Sequence, residues 1–143
     1  IRTSDTRYFV DPSIAVAALG ITPDKLMHDM NTFGLLFETM AVRDLRVYAD
    51  AIDAKVYHYR DKDELECDAI IERRDGSYGL VEIKLGGDYA ISDAQITLNA
   101  LAKKINTDKV GKPSFRMVLT AIGKYALRLE DGTLVVPIGC LKH

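Results

Sequence analysis

Two acidic residues and a lysine stand where a pair of strands would bring their charges together. Asp68 lies in one stretch of strand-forming residues, and Glu82 and Lys84 lie in the next, separated by Ile83. Because side chains in a strand alternate between faces, Glu82 and Lys84 share one face. Carboxylates placed opposite one another repel and destabilise a sheet. A divalent cation would offset that repulsion, and oxygen ligands suit Mg²⁺ or Mn²⁺, so the pattern indicates a metal site.

The turn between the two strands decides whether Asp68 joins that face. A three-residue loop over 74–76, with Gly76 in the left-handed conformation, places Asp68 opposite Glu82. A two-residue loop of Asp75 and Gly76 places the acids on opposite faces, because a shift of one residue reverses every side chain. The competing interpretation of the charged residues is an ordinary ladder of cross-strand ion pairs on a solvated face.

Glu38 is a third candidate acid. In a helix its neighbours three, four and seven residues away are small or apolar, namely Gly34, Ala41, Val42 and Leu45. Glu38 therefore projects from the buried side of the helix, where an unpartnered carboxylate costs several kcal/mol or shifts its pKa. It is either a structural ion-pair partner or helix-kink site, or an acid that reaches the face holding Asp68 and Glu82.

The elements that must position these residues follow the order helix, three strands, helix, and one or two strands. Helices are predicted from Asp11-Pro12 to Gly20, from Thr22-Pro23 to about Ala49, and from Ser92, with Gln95 completing a capping box. Strands are predicted over 55–60, 65–73, 78–85, 115–121 and 133–138. A helical crossover after a hairpin returns the chain to a parallel position. We therefore expect an α/β domain with a mixed central sheet and helices on both faces.

Composition supports a single folded domain over residues 1–143. The 143 residues are 48% hydrophobic and 28% charged, which excludes a disordered or low-complexity chain. No apolar run approaches the roughly 20 residues that cross a bilayer. The two cysteines, Cys67 and Cys140, form no disulfide framework, and with no signal peptide this favours the cytoplasm. Because the chain starts at Ile1 on polar residues, we expect a domain cut from a longer protein.

Charge is uneven along the chain. The net charge is −2. Most of the charged residues over 50–68 are acidic, whereas the stretch over 99–128 carries one acid, Asp108. The basic residues of that stretch are Lys103, Lys104, Lys109, Lys112, Arg116, Lys124 and Arg128. This stretch predicts an anion-binding face, with a solvated helix end and loop as the alternative. The two Gly-Lys pairs lack the spacing of a phosphate-binding loop, so we expect this segment to bind no ATP.

The chain resembles the PD-(D/E)xK restriction-endonuclease-like superfamily in its helical Glu38, in Asp68, and in Glu82 and Lys84 separated by one residue. It is also similar, over nearly its whole length, to the uncharacterised C-terminal domain that follows an AAA-type ATPase module in many bacterial and archaeal proteins. The segments that carry this second resemblance are RYFVDPSIAVAALG, FGLLFETMAVRDL, KVYHYRDKDELECDAIIERRDGSYGLVEIKLG and DGTLVVPIGCL. The resemblance implies a restriction-endonuclease-like α-β-β-β-α-β core and an ATPase module earlier in the same protein.

The superfamily pattern also implies roles for these residues. Asp68 and Glu82 would bind Mg²⁺ or Mn²⁺ together with the backbone carbonyl of Ile83, and Glu38 would act through a coordinated water. Lys84 would orient the attacking water and stabilise the charge that develops. The activity implied is metal-dependent hydrolysis of DNA phosphodiester bonds.

The predicted helix that begins at Ser92 supplies the candidate nucleic-acid contacts. Lys103 and Lys104 lie at its far end, where they would neutralise backbone phosphates. The related RecB-type helix carries a glutamine-plus-tyrosine motif. In this chain the motif appears only as Gln95, with Asn99 four residues later. The alternative function is a nuclease-fold module that no longer cuts and serves nucleic-acid binding or protein docking. We expect DNA and the ATPase module as partners and no membrane, and the sequence leaves oligomerisation open.

Overall fold

The computed structural model of the chain describes residues 7–105 and 107–141. Its helices are α1 (Pro12–Leu19), α2 (Pro23–Met27), α3 (Met30–Asp50), α4 (Asp88–Lys104) and α5 (Thr107–Val110). Its strands are β1 (Ala54–Arg60), β2 (Glu66–Arg73), β3 (Tyr78–Lys84), β4 (Phe115–Thr120), β5 (Leu127–Arg128) and β6 (Leu134–Pro137). A short 3₁₀ turn follows over Ile138–Cys140.

The six strands form one mixed sheet in the order β1-β2-β3-β4-β6-β5. The first three strands form an antiparallel meander. After β3 the chain crosses through α4 and returns as β4, which runs parallel to β3, and β6 runs parallel to β4. Strand β5 closes the far edge antiparallel to β6. The predicted mixed sheet with a helical crossover is confirmed.

Helices pack on both faces of this sheet, as predicted. On one face α3 presents Phe37, Ala41, Val42 and Leu45 to a layer that includes Ala69, Val81, Ile83, Met117 and Leu119. On the other face α4 presents Ala94, Leu98 and Leu101 to Cys67, Leu80, Val118 and Val135. Neighbouring residues of β3 therefore enter opposite cores, which explains why the whole strand apart from its last residue is buried.

Two helix boundaries differ from the sequence-based expectation. The chain from Pro23 is not one helix, because Asp29 caps a new helix by accepting hydrogen bonds from the backbone N–H and the hydroxyl of Thr32, at 3.1 and 2.7 Å. Helix α4 begins at Asp88 rather than at Ser92. Its N-cap is Gly87, with φ at 94° and no side-chain cap, so the predicted capping box does not form. An acidic residue in the first turn favours the helix there through the helix dipole.

The β2–β3 connection is the three-residue loop that places the acids together. Gly76 has φ at 81°, and the backbone N–H of Arg73 donates to the carbonyl of Ser77 at 2.9 Å. The strand register continues from Glu72 opposite Tyr78 to Ala69 opposite Val81. This register excludes the two-residue loop, and its continuation by one residue sets Asp68 opposite Glu82.

Candidate active site

Strands β2 and β3 bring Asp68, Glu82 and Lys84 to one cleft of about 220 Å³. The other lining residues are Glu64, Leu65 and Glu66, which precede or begin β2, and Thr97 of α4. Glu82 is 4% exposed, because it lies on a central strand beneath α4. Lys84 ends the same strand, and its side chain is 29% exposed. A buried carboxylate therefore lies at the base of the cleft, and a lysine lies at its mouth.

Short hydrogen bonds hold each charged group of the cleft in a defined orientation. Lys84 Nζ lies 2.9 Å from Glu82 Oε2. Asp68 Oδ2 accepts a hydrogen bond of 2.7 Å from the backbone N–H of Ile83, and the backbone N–H of Asp68 in turn faces the Glu82 carboxylate. The carboxylate of each acid therefore contacts a backbone N–H of the opposite strand, at the point where the regular pairing of β2 and β3 ends.

Glu38 reaches the same group of charges from α3. Its Oε1 accepts a hydrogen bond of 2.8 Å from the hydroxyl of Tyr8. The negative charges of Asp68 and Glu66 and the positive charge of Lys84 all act on its carboxylate. The structure thus brings together four residues that the sequence predicted as catalytic, from one helix and two strands.

Burial and mutual repulsion disfavour the charged form of all three acids. Burial raises the pKa of Asp68. Burial followed by the Asp68 charge raises the pKa of Glu38 and raises that of Glu82 to about 7. Lys84 behaves in the opposite sense: burial lowers its pKa, but the carboxylates of Glu82 and Asp68 outweigh burial and raise it overall. The cleft holds more negative than positive charge, and its lysine stays protonated at neutral pH.

The donor set fits a hard divalent cation better than a soft one. The carboxylates of Asp68 and Glu82 supply hard oxygen atoms, and Mg²⁺ often takes one or two protein carboxylates and completes its shell with water. Ile83 directs its N–H to Asp68, and an extended residue points its carbonyl to the same neighbouring strand. The thiol of Cys67 is not a competing ligand, because its Sγ lies 3.4 Å from the carbonyls of Ala69 and Val81 and burial raises its pKa to about 12.

The metal donors do not form a ready-made cage. Within residues 7–105 and 107–141, no three His, Cys, Asp or Glu side chains are arranged to hold a metal ion together. Glu38 is engaged by Tyr8, which agrees with a role through water rather than as a direct ligand. A cation here would be held by Asp68, Glu82 and the Ile83 carbonyl, with water filling the other positions.

The predicted nucleic-acid contacts lie outside this cleft. Lys104 Nζ is already paired with Asp61 and Asp63, at 2.5 and 2.6 Å. Gln95 donates to Asp131, so its amide anchors the turn before β6 rather than facing the carboxylates. Lys103 lines a second cleft, of about 350 Å³, together with Lys112, Arg116 and neighbouring residues. Of the three, Lys103 is the best placed for a phosphate contact.

Sequence reasoning missed several residues that surround the acids. Tyr8 contacts Glu38 from far away in the sequence, which no local pattern reveals. His58 Nε2 lies 2.7 Å from Glu66 Oε1, beside Asp68. The alternation of Tyr57, His58 and Tyr59 indicates a strand, but only the register of β1 with β2 places the imidazole beside Glu66. Thr97 of α4 lines the cleft, and no local pattern in the sequence distinguishes it from the other polar residues of that helix.

The sequence comparison identifies the family. Residues 33–141 match the domain of unknown function DUF4143. The chain belongs to the DUF4143 family. The match contains all four candidate catalytic residues of this DUF4143 domain, whereas Tyr8 precedes it. No curated protein and no solved structure matches the chain. Among the described residues, no helix is long and apolar enough to cross a membrane.

Proposed function

We propose that this DUF4143 domain is a divalent-metal-dependent nuclease that hydrolyses phosphodiester bonds of DNA. The observation that carries the proposal is that Asp68, Glu82 and Lys84 line one cleft, while Glu38 of α3 lies near enough for the charges of Asp68 and Lys84 to act on its carboxylate. A purely structural ladder of ion pairs would contain similar numbers of acidic and basic groups, whereas here three partly or fully buried acids lie near one lysine. The restriction-endonuclease-like assignment is part of the same proposal and is supported by the order of elements and the positions of these residues.

The roles follow from the environment of each group. A bound Mg²⁺ or Mn²⁺ would lower the pKa of a water and offset charge on the phosphoryl oxygens. Asp68 and Glu82 would hold the cation, and its charge would offset the repulsion between the two carboxylates. Lys84 remains protonated, so it acts as a fixed positive charge for the developing oxyanion and as a hydrogen-bond donor that orients water, not as a general base.

Glu38 is the group best suited to accept a proton from the attacking water. Its pKa is raised, and a carboxylate with a raised pKa is a better base near neutral pH. One of its oxygens is held by Tyr8, which leaves the other for the water. Asp68 and Glu82 would therefore contact the cation directly, and Glu38 would act through a water bound to that cation, both in holding the water and in accepting its proton.

The resemblance to domains that follow AAA-type ATPase modules supports a second part of the proposal. We infer that the domain works in the cytoplasm within a longer protein whose ATPase module binds the nucleotide. DNA would then be delivered to the acidic cleft by the parent protein, which fits a domain whose own net charge is −2. Phosphate contacts from Lys103 would add affinity.

A non-catalytic nuclease-fold module is the second candidate. Two observations favour it: the described residues form no three-donor metal group, and every buried side-chain polar atom among them has a hydrogen-bond partner within the protein. Such a site is stable without a ligand. The domain would then serve nucleic-acid binding or docking to its ATPase.

A cleavage assay separates the two candidates. Labelled single- and double-stranded DNA and RNA are incubated with the 143-residue chain in Mg²⁺ or Mn²⁺, with a chelator as the blank. We expect metal-dependent cleavage of DNA that falls about 10²–10³-fold in Lys84→Ala and is unchanged in Glu72→Gln, an exposed acid on the same strand pair. Equal cleavage by Lys84→Ala would assign the activity to another site or a contaminant. Metal and DNA binding without cleavage would favour the second candidate.

A further inference from the structure

The segment before α1 contributes a side chain to the candidate active site. Tyr8 is partly buried against the core under α3, and its hydroxyl donates to Glu38 Oε1 at 2.8 Å. The negative charges of Asp68 and Glu66 also act on this hydroxyl. Tyr8 therefore lies beside these acids, although 30 residues separate it from Glu38 along the chain.

Two further contacts hold this segment against α3. The guanidinium of Arg46 lies 5.8 Å from the centre of the Tyr8 ring, within the range of a cation–π interaction. Arg43 NH1 lies 2.5 Å from Asp11 Oδ2. Asp11 also caps α1, where its Oδ1 accepts a hydrogen bond from the backbone N–H of Ser13. The position of Tyr8 is thus determined at its ring, at its hydroxyl and just after it along the chain.

We propose that Tyr8 is a positioning residue that fixes the Glu38 carboxylate beside Asp68, so that the N-terminal segment completes the site. The inference rests on the proposed function. Glu38 faces the like charge of Asp68, which pushes its carboxylate away from the cleft unless a donor holds it. The Tyr8 hydroxyl is such a donor, and it occupies Oε1 alone. The other oxygen remains available to a water beside Asp68.

The assignment predicts that Tyr8 acts only through Glu38. Outer partners of metal-site groups typically contribute 10–100-fold to metal affinity or activity. We therefore expect Tyr8→Phe to weaken Mn²⁺ binding about tenfold, and to have no further effect in a chain that already carries Glu38→Ala. Tyr78→Phe is the matched control, because Tyr78 is a buried tyrosine that donates at 2.9 Å to the carbonyl of Gly111, away from the cleft.

The test is calorimetric titration of Mn²⁺ into five forms of the 143-residue chain: native, Tyr8→Phe, Glu38→Ala, the double variant and Tyr78→Phe. Thermal unfolding of each form confirms that it is folded. A tenfold loss confined to chains that retain Glu38, with native affinity in Tyr78→Phe, supports the proposal.

Three outcomes overturn it, and they are distinguishable. If Tyr8→Phe binds Mn²⁺ with the native affinity, Tyr8 is not a positioning residue, and the proposed function is unaffected. An equal loss in the presence and absence of Glu38 shows that Tyr8 acts through the fold and not through that carboxylate. An absence of binding by the native chain contradicts the proposed function, and the positioning role is lost with it.

Discussion

At the scale of single residues, the cleft is defined by an imbalance of charge. Glu82 is almost completely buried and is paired with Lys84. The charge of Asp68 acts on the carboxylates of both Glu82 and Glu38. Burial would ordinarily select against three acids at such a place. Burial raises the pKa of all three acids, which disfavours their charged forms, and a cation bound at Asp68 and Glu82 would favour them.

The pH dependence of stability follows from Glu82. Its pKa rises from 4.5 to about 7 on folding, so between these values the folded chain holds a proton that the unfolded chain has lost. Raising the pH through this window therefore lowers the free energy of unfolding, by on the order of 3 kcal/mol for this group. In the absence of metal, we expect Glu82→Gln to melt several degrees above the native chain at pH 8 and close to it at pH 4.5.

The measurement is thermal unfolding in a chelator across pH 4.5–8. Glu72→Gln serves as the control, since Glu72 is exposed on β2 and a surface substitution should change stability by less than about 0.5 kcal/mol. A lower melting temperature for Glu82→Gln at pH 8 would show that the ion pair with Lys84 outweighs the repulsion.

At the scale of elements, the β2–β3 hairpin is what aligns the acids, and the sequence predicted its turn but left the length of its loop open. Asp75-Gly76 predicted a turn, and counting back from a three-residue loop placed Asp68 opposite Glu82. The start of α4 could not be read in this way, because two glycines precede it and no side chain caps it. Tyr8 was missed for a different reason: its contact with Glu38 depends on how the first segment packs across α3, which local patterns do not encode.

The geometry of the β2–β3 loop predicts that Gly76→Ala lowers the melting temperature. A Cβ at Gly76 would meet no atom within 4 Å, so any cost of Gly76→Ala comes from its φ of 81° alone. An alanine in the left-handed region costs about 1 kcal/mol, which lowers the melting temperature by roughly 3 °C in a chain of this size. Gly139→Ala is the control, because Gly139 is exposed with no atom near and no left-handed backbone. Equal melting temperatures for the two variants would contradict the turn geometry.

At the scale of the whole molecule, acidic and basic groups lie in separate clefts. The carboxylates share one cleft with Lys84, and Lys103, Lys112 and Arg116 line another between α4 and the start of β4. The net charge of −2 conceals this division. Under the proposed function, a strand of DNA that crosses the domain would meet Lys103 in the second cleft and the proposed catalytic residues in the first.

Salt dependence of DNA binding distinguishes the two neighbouring lysines of α4. Removing a lysine that contacts a phosphate lowers the salt slope by about 1. We expect this change in Lys103→Ala, and a smaller one in Lys104→Ala, because Lys104 is already paired with Asp61 and Asp63. Fluorescence anisotropy over a series of salt concentrations measures both slopes. The same slope in Lys103→Ala and the native chain would place the DNA on another face.

The central claim is that Asp68 and Glu82 form a cation site, and calorimetric titration of Mn²⁺ into the native chain and Asp68→Asn tests it most directly. Glu72→Gln is titrated as the matched control on the same strand. We expect one site in the native chain and in Glu72→Gln, and no site in Asp68→Asn. Binding that survives in Asp68→Asn, or no binding by the native chain at millimolar metal, would contradict it.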